Sequence, residues 1–377
     1  MIPFDFRPRT RVLFGPGEFA RLGEVARELG GTRCLLVADQ GMLSAGYAQE
    51  AARSLKARRM EVFAFHDFTA NPTSAMVEAG ASYGAPHNVN LVVGLGGGSS
   101  LDCAKAINLL LTSGGPLGDY WGYGKAKQPL HPMVAIPTTA GPGSEAQTYA
   151  SIIDVESKTK MTCGDARMVY RTAILDPRLT VTQPADVTAA AGFDAIAHSL
   201  ETLLSTRRNA VSECFSREAW RLLNLNFERV LKEPEDLNAR GAMLIAAHFA
   251  GLAVENAMAG AAHACAEPLT ARYGLAHGAA LSLVLPPVIE WTLAADAPDA
   301  KWSGDALPRD LAALALPARL RDLARRAQLP ASLRDTPVPE SALPRLAEEA
   351  AAQWTGKFSP RRFDADAALE LYRAAYV

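Results

Sequence analysis

The stretch NLVVGLGGGSSLDCAKAI, residues 90–107, reads as an apolar strand, a glycine turn and the opening of a helix. Glycines let backbone N–H groups come close to a phosphate, and the helix N-terminus behind them adds a favourable dipole. The run Gly96-Gly97-Gly98-Ser99-Ser100 is therefore a candidate phosphate cradle, although a tight strand-to-helix turn with no ligand would need the same residues. It is not the G-x-G-x-x-G fingerprint, and it lies well into the chain rather than after the first strand, so an ordinary Rossmann label does not fit in detail.

Working outward from this turn, RVLFG (11–15), RCLLVAD (33–39), MEVFAF (60–65) and MVAIPTT (133–139) are also short apolar runs, three of them ended by Gly, Asp or Thr. They read as strands. Between them lie helical patterns such as GEFARLGEVARELGG (17–31), with Gly30-Gly31 as a C-cap. Strand–helix alternation predicts a parallel sheet covered on both faces, a Rossmann-like α/β domain. After DPRLTVTQPAD (176–186) the strand signals stop. Residues 187–205, 211–231, the alanine-rich 240–262 stretch and 277–291 all read as helices, and 293–345 as short helices joined by proline turns. The expected organisation is an α/β domain over 1–184 followed by an all-α domain over 185–377. A chain of 377 residues exceeds what one core usually supports, which agrees with two domains.

Lys+Arg 38 against Asp+Glu 40 leaves no basic surface for nucleic acid or an anionic membrane. The opening residues MIPFDFRPRTRVLFG do not read as a signal peptide. The longest apolar stretch is interrupted by His248, Glu255 and Asn256, and its small residues suit buried helix packing, with His248 as a core histidine. Five scattered cysteines without a CxxC pair fit a reducing cytoplasm better than a disulfide framework.

The helical half carries Asp194 and His198 in GFDAIAHSLE, His263 in GAAHACAEPL and His277 in YGLAHGAAL. Asp194 and His198 are i and i+4, so they leave one helix face a turn apart. His263 is read toward the end of a further helix, with Pro268 and Gly274 breaking the pattern before His277 begins the next. Such a helix–turn–helix could return both histidines to one point facing the first pair. One carboxylate with three imidazoles suits zinc or ferrous iron. Taken singly, each of the four reads equally well as a hydrogen-bonded core residue. In the other half, Thr138, Thr139 and Ser144 offer hydroxyls in a Gly/Pro loop after the last strand. Asp39, ending its strand, is either a turn residue or a carboxylate for ribose hydroxyls that would repel a 2′-phosphate, favouring NAD over NADP.

Several motifs in order resemble the iron-containing (group III) alcohol dehydrogenases: Phe14-Gly15-Pro16-Gly17, GGGS, PTTAGPGSE, ILDPRLT, GFDAIAHSLE and H-x13-HG, with FSPRRF near the C-terminus as a last echo. The resemblance covers about residues 10–375 and implies an NAD(H)-linked enzyme that interconverts a small alcohol and its aldehyde or ketone. A bound Fe2+ or Zn2+ would act as Lewis acid on the substrate oxygen. It implies Asp194, His198, His263 and His277 as metal ligands. Gly97, Gly98 and Ser99 would hold the cofactor, with Thr138, Thr139, Ser144, Lys160 and Leu179 on its nicotinamide side and Asp39 at the adenosine ribose. A substrate pocket of Asn71, Gln147, Tyr149 and Val254 is expected for a small, partly polar molecule. A homodimer is expected, an edge strand near the N-terminus pairing across a two-fold axis.

The chain departs from the family pattern at three places. Glu267 stands where a second histidine often follows the third ligand by four residues, so it is expected to relay the proton or to be structural. Pro142 replaces a threonine, and Ser359 an asparagine. The rivals are a metal-independent enzyme like maleylacetate reductase, dehydroquinate synthase, which would need a Lys/Arg cluster not seen around the ligands, and a catalytically idle nucleotide-binding protein.

Overall fold

The computed structural model describes residues 3–294 and 315–377. Of the 293–345 stretch read as short helices, residues 295–314 lie outside the described residues. The chain divides into two compact units, Arg7–Gln183 and Pro184–Val377 with Met1–Phe6.

The Arg7–Gln183 unit is built on strands β1 (Arg11–Phe14), β2 (Arg33–Ala38), β3 (Glu61–Phe65), β4 (Leu91–Gly96), β5 (Gly122–Tyr123), β6 (Met133–Pro137), β7 (Tyr149–Ile153), β8 (Lys160–Gly164) and β9 (Thr172–Leu175). Six of them form one sheet in the order β1-β9-β6-β4-β2-β3, every pair parallel. Parallel neighbours need crossover connections. Helices α1 (Leu22–Glu28), α2 (Gln40–Ser44), α3 (Tyr47–Ala57), α4 (Ser74–Gly84) and α5 (Gly98–Ser113) lie on those crossovers. The central strands β4 and β6 are buried at every residue, as near-continuous Val/Ile/Leu runs require.

Strand order makes one place special. From β2 the chain steps outward to β3, then returns to lay β4 on the other side of β2, and continues away to β6. The switch in direction therefore falls between β2 and β4, whose ends are in register at Ala38 and Leu95. In open α/β sheets ligands bind outside the carboxyl ends of the strands at this kind of point. Asp39 follows one of these strands and the glycine turn ends the other.

Four strands here differ from the sequence expectation. Thr172–Leu175 is a sixth strand of the main sheet, inserted between β1 and β6. Strands β7 and β8 pair antiparallel, with β5 parallel to β8, in a small second sheet. At two to five residues these runs are too short to stand out by periodicity.

In the other unit the regular elements among the described residues are all helices: α6 (Ala185–Leu204), α7 (Ala210–Lys232), α8 (Leu237–Ala257), α9 (Ala261–Tyr273), α10 (His277–Leu293), α11 (Leu316–Arg326), α12 (Leu343–Ala351) and α13 (Ala365–Tyr376), with short 3-10 turns. The alanine-rich 240–262 stretch is not one helix. Met258 takes φ +67°, and Gly260 starts α9. His263 consequently stands in the first turn of its helix rather than toward an end, and Pro268 lies inside that helix. Helix α8 is apolar and long enough to cross a membrane by composition, but 67% of its apolar window is buried within the protein. Cys34, Cys103, Cys163 and Cys265 are buried thiols and Cys214 an exposed one.

Candidate metal centre and nucleotide cradle

Helix α6 presents Asp194, His198 and Glu201 on one face, one turn apart in succession. All three are buried. Helix α9 brings His263 to them, and α10 brings His277 at its first residue. The close approach of α10 to α6 depends on Gly278, where a Cβ would sit 1.7 Å from the carbonyl oxygen of Ala190. This is the physical content of the HG pair in the sequence.

Asp194, His263 and His277 each place one ligand-type atom within 4.8 Å of the others. Asp194 Oδ1 lies 3.6 Å from His263 Nε2 and 3.6 Å from His198 Nδ1. Those distances exceed hydrogen-bond length. They match two donors sharing a tetrahedral ion, which bond lengths near 2.1 Å would hold roughly 3.4 Å apart. The His198 ring lies flat on that of His263, centroids 4.4 Å apart, and His277 stands 5.4 Å from His263 and tilted. His277 Nδ1 is 3.3 Å from Thr270 Oγ1.

Two buried atoms decide what the cluster fits. Asp194 Oδ1 and His263 Nε2 have no hydrogen-bond partner. An unmet buried polar group costs about 1–3 kcal/mol, so two facing each other favour a cation between them. Burial opposes charge at Asp194, but His198, His263 and His277 outweigh it and hold the carboxyl well below its usual range. Burial likewise opposes charge on His263, yet Glu201 and Asp194 push it up to about 9. The pocket draws positive charge, and one carboxylate with imidazoles is a donor set for Fe2+ or Zn2+.

Glu201 was not singled out by sequence, although it closes the GFDAIAHSLE motif. Its partners are backbone and side-chain groups 59–62 residues away, which no local pattern reveals. Glu267 stands four residues beyond His263 and so on the same face of α9. Further along the same helix, Arg272 pairs with Glu349. Val254 is buried on α8, and so is His248.

In the Arg7–Gln183 unit, Gly97 is the N-cap of α5 and supplies no side-chain cap. The first N–H groups of a helix have no intrahelical partner, so this uncapped start fits an anionic group. Around it the predicted residues come together. Ser99 Oγ accepts from Asn71 N–H (3.0 Å), with Asn71 at φ +55°. Thr138 N–H donates to Gly96 O (3.0 Å). A Cβ on Gly97 would meet Thr139 at 3.1 Å, and one on Gly98 would meet Pro142 Cγ at 2.3 Å and Ser144 Oγ at 3.3 Å. Gln147 Nε2 holds Pro142 O at 2.7 Å. Pro142 thus packs against the glycine turn instead of presenting a hydroxyl to it.

Asp39 uses both oxygens. Oδ1 caps α2 through Met42 N–H (3.1 Å), and Oδ2 accepts from Ser100 Oγ (2.7 Å), tying β2 to α5 across the switch point. Tyr149 and Lys160 lie at the starts of β7 and β8, and the Tyr149 carbonyl accepts from the buried Lys105 ammonium at 2.5 Å. Leu179 is packed in the hydrophobic core with Ala38, Leu95, Ile136 and Ile174.

Residues 8–177 match the model of the iron-containing alcohol dehydrogenases, and 188–376 match the C-terminal region of the same family. The chain belongs to the iron-containing alcohol dehydrogenase family. It is 32% identical to the 1,3-propanediol dehydrogenase of Citrobacter freundii across 99% of both chains. Identity to the NAD-dependent methanol dehydrogenase of Bacillus methanolicus is 34%, over 77% of this chain and 76% of that one. The crystal structure of a 1,3-propanediol oxidoreductase superimposes with a TM-score of 0.92 at 31% identity, covering 99% of this chain and 100% of that one. As a family member the protein is a metal-dependent, NAD(H)-linked oxidoreductase that interconverts an alcohol with its carbonyl partner, and its α/β-then-all-α fold is that of the family.

Proposed function

We propose that the enzyme acts on a short, partly polar alcohol and its aldehyde, with the labour divided between residues 1–184, which hold NAD(H), and residues 185–377, which hold the metal. Asp194, His198, His263 and His277 would bind Fe2+ or Zn2+. When bound, such an ion supplies Lewis-acid polarisation of the substrate oxygen. Supporting this is the buried, facing pair Asp194 Oδ1 and His263 Nε2, an arrangement that a cation satisfies.

The chain's own residues do the rest. The uncapped start of α5 would take the pyrophosphate, and Thr138, Thr139, Ser144, Lys160 and Leu179 would shape the nicotinamide side. Asp39 would meet the ribose and disfavour a 2′-phosphate, which makes NAD the preferred cofactor over NADP. Asn71, Gln147, Tyr149 and Val254 would contact substrate, and Glu267 would carry the proton between substrate and solvent. Relatives named for 1,3-propanediol and methanol support short substrates with one or two hydroxyls.

A homodimer in the cytoplasm completes the proposal. Strand β1 lies at the edge of the six-stranded sheet with Val12 and Phe14 exposed. Such an edge is a ready template for pairing with a second copy. A dimer mass by light scattering, lost in Val12→Pro, is expected, and a wild-type monomer would refute it.

Metal analysis of protein reconstituted with Fe2+ or Zn2+, combined with NADH oxidation over short aldehydes and hydroxyaldehydes, tests the main reading. One ion per chain and turnover are expected. Turnover that survives complete metal removal would instead place the enzyme with metal-independent reductases.

A further inference from the structure

We propose that Glu201 is a positioning residue that fixes the hydrogen on His263 Nδ1 and so reserves Nε2, on the Asp194 side, for the metal. The proposal rests on the metal reading above and deepens it.

Glu201 reaches from α6 to the start of α9. Its Oε1 accepts from the N–H groups of Gly260 (3.1 Å) and Ala262 (2.7 Å). Its Oε2 accepts from the N–H of His263 (3.3 Å) and bonds to the His263 Nδ1. Gly260 offers no side-chain cap to α9, so a carboxylate borrowed from another helix does that work, in the place where the helix dipole favours negative charge. The side chain is 3% exposed, and the space behind it, about 10 Å³, is at the lower limit for a single water. Bulk solvent therefore has little access to these bonds.

Four donors share two oxygens. Because Oε2 can only accept, Nδ1 must carry a hydrogen whether the ring is neutral or charged, and in the neutral ring Nε2 is then a lone pair. That nitrogen is the one 3.6 Å from Asp194 Oδ1. Carboxylates that orient a ligating histidine in this way set both its tautomer and its basicity. Helix capping and ligand orientation thus fall on a single side chain.

Glu201→Gln separates the two roles. Glutamine has one accepting oxygen and one NH2 group. With the oxygen kept on Gly260 and Ala262, the NH2 faces two N–H groups of His263. The conflict is relieved by moving the imidazole hydrogen to Nε2, where it blocks ligation. We expect zinc affinity, measured by competition with a chromophoric chelator, to fall about 10- to 100-fold. The 15N spectrum of histidine-labelled protein should show Nδ1 carrying hydrogen in the wild type, metal-free and zinc-loaded alike, and lacking it in metal-free E201Q.

Unchanged zinc affinity in E201Q overturns the proposal. So does a lowered Tm with unchanged affinity, which would leave Glu201 as a helix cap only. If E201Q does not fold, Glu201→Asp serves. It keeps two oxygens but is one methylene shorter, so a positioning role predicts weaker zinc binding, and unchanged binding overturns it. A wild-type protein that binds neither zinc nor iron would sink the metal reading, while the 15N pattern of the metal-free protein still decides the role of Glu201. Hydrogen on Nε2 alone in that wild-type spectrum would overturn it.

Discussion

The two candidate sites are made of opposite materials. The cradle at the start of α5 is mostly backbone: N–H groups left open because Gly97 caps nothing, pressed from one side by Thr139, Pro142 and Ser144. The metal centre is all side chain, with imidazoles and carboxylates projecting from three helices. A backbone site is broken by adding atoms and a side-chain site by removing them. Each can therefore be damaged without touching the other, which gives a way to test the proposed division of labour.

The largest effect should come from His263→Ala. Lewis-acid stabilisation is worth several kcal/mol, so turnover should drop by about 10³-fold. Bound metal should fall with it, while NADH binding followed by fluorescence stays unchanged. Loss of both together would break the comparison. Gly98→Ala is the converse. A Cβ 2.3 Å from Pro142 Cγ forces the 139–144 loop or the turn to move. Overpacking costs about 1–3 kcal/mol, and NADH should bind roughly 5- to 100-fold more weakly with metal content intact.

Glu267→Gln should lower turnover by about 10-fold or more if the carboxylate passes the proton, with an altered pH profile, and Glu267→His should restore much of it. Metal content should hold in both, and no change in rate or profile would make Glu267 structural. The smallest change is expected from Asp39→Ala. Losing the α2 cap costs about 1 kcal/mol of stability, seen as a lower Tm. Losing the carboxylate should also let NADPH serve alongside NADH, read from the ratio of their kcat/KM values.

The division into a strand-rich and a helical half was legible because both periodicities run over long segments: GEFARLGEVARELGG between strands, and the helices from residue 187 onward. The glycine turn was legible for the same reason, since a buried strand, a glycine run and a helix follow one another without a gap. What escaped was short or non-local. Thr172–Leu175 has four residues to declare itself, yet it sits between β1 and β6 in the sheet. The break at Met258–Gly260 hid inside an alanine-rich run, because a single residue at φ +67° leaves no trace in hydrophobic spacing. It moved His263 from a helix end to a helix start. Asp194 and His198 announced themselves at i and i+4, whereas Glu201 belongs to the same face but takes its meaning from α9. Gln147 donates from its amide nitrogen to the Pro142 carbonyl, a contact that residue type alone does not reveal.

The 62 residues that separate Glu201 from His263 also bear on heat resistance. In the unfolded chain Asp194 and His198 remain neighbours, but nothing holds His263 or His277 near them, so the denatured ensemble offers an ion little. Whatever free energy the native cluster gains from its ion then counts almost wholly toward keeping the chain folded, about 2.7 kcal/mol when free metal is a hundredfold above Kd. The thermal midpoint of this enzyme should accordingly track the metal supply of its surroundings.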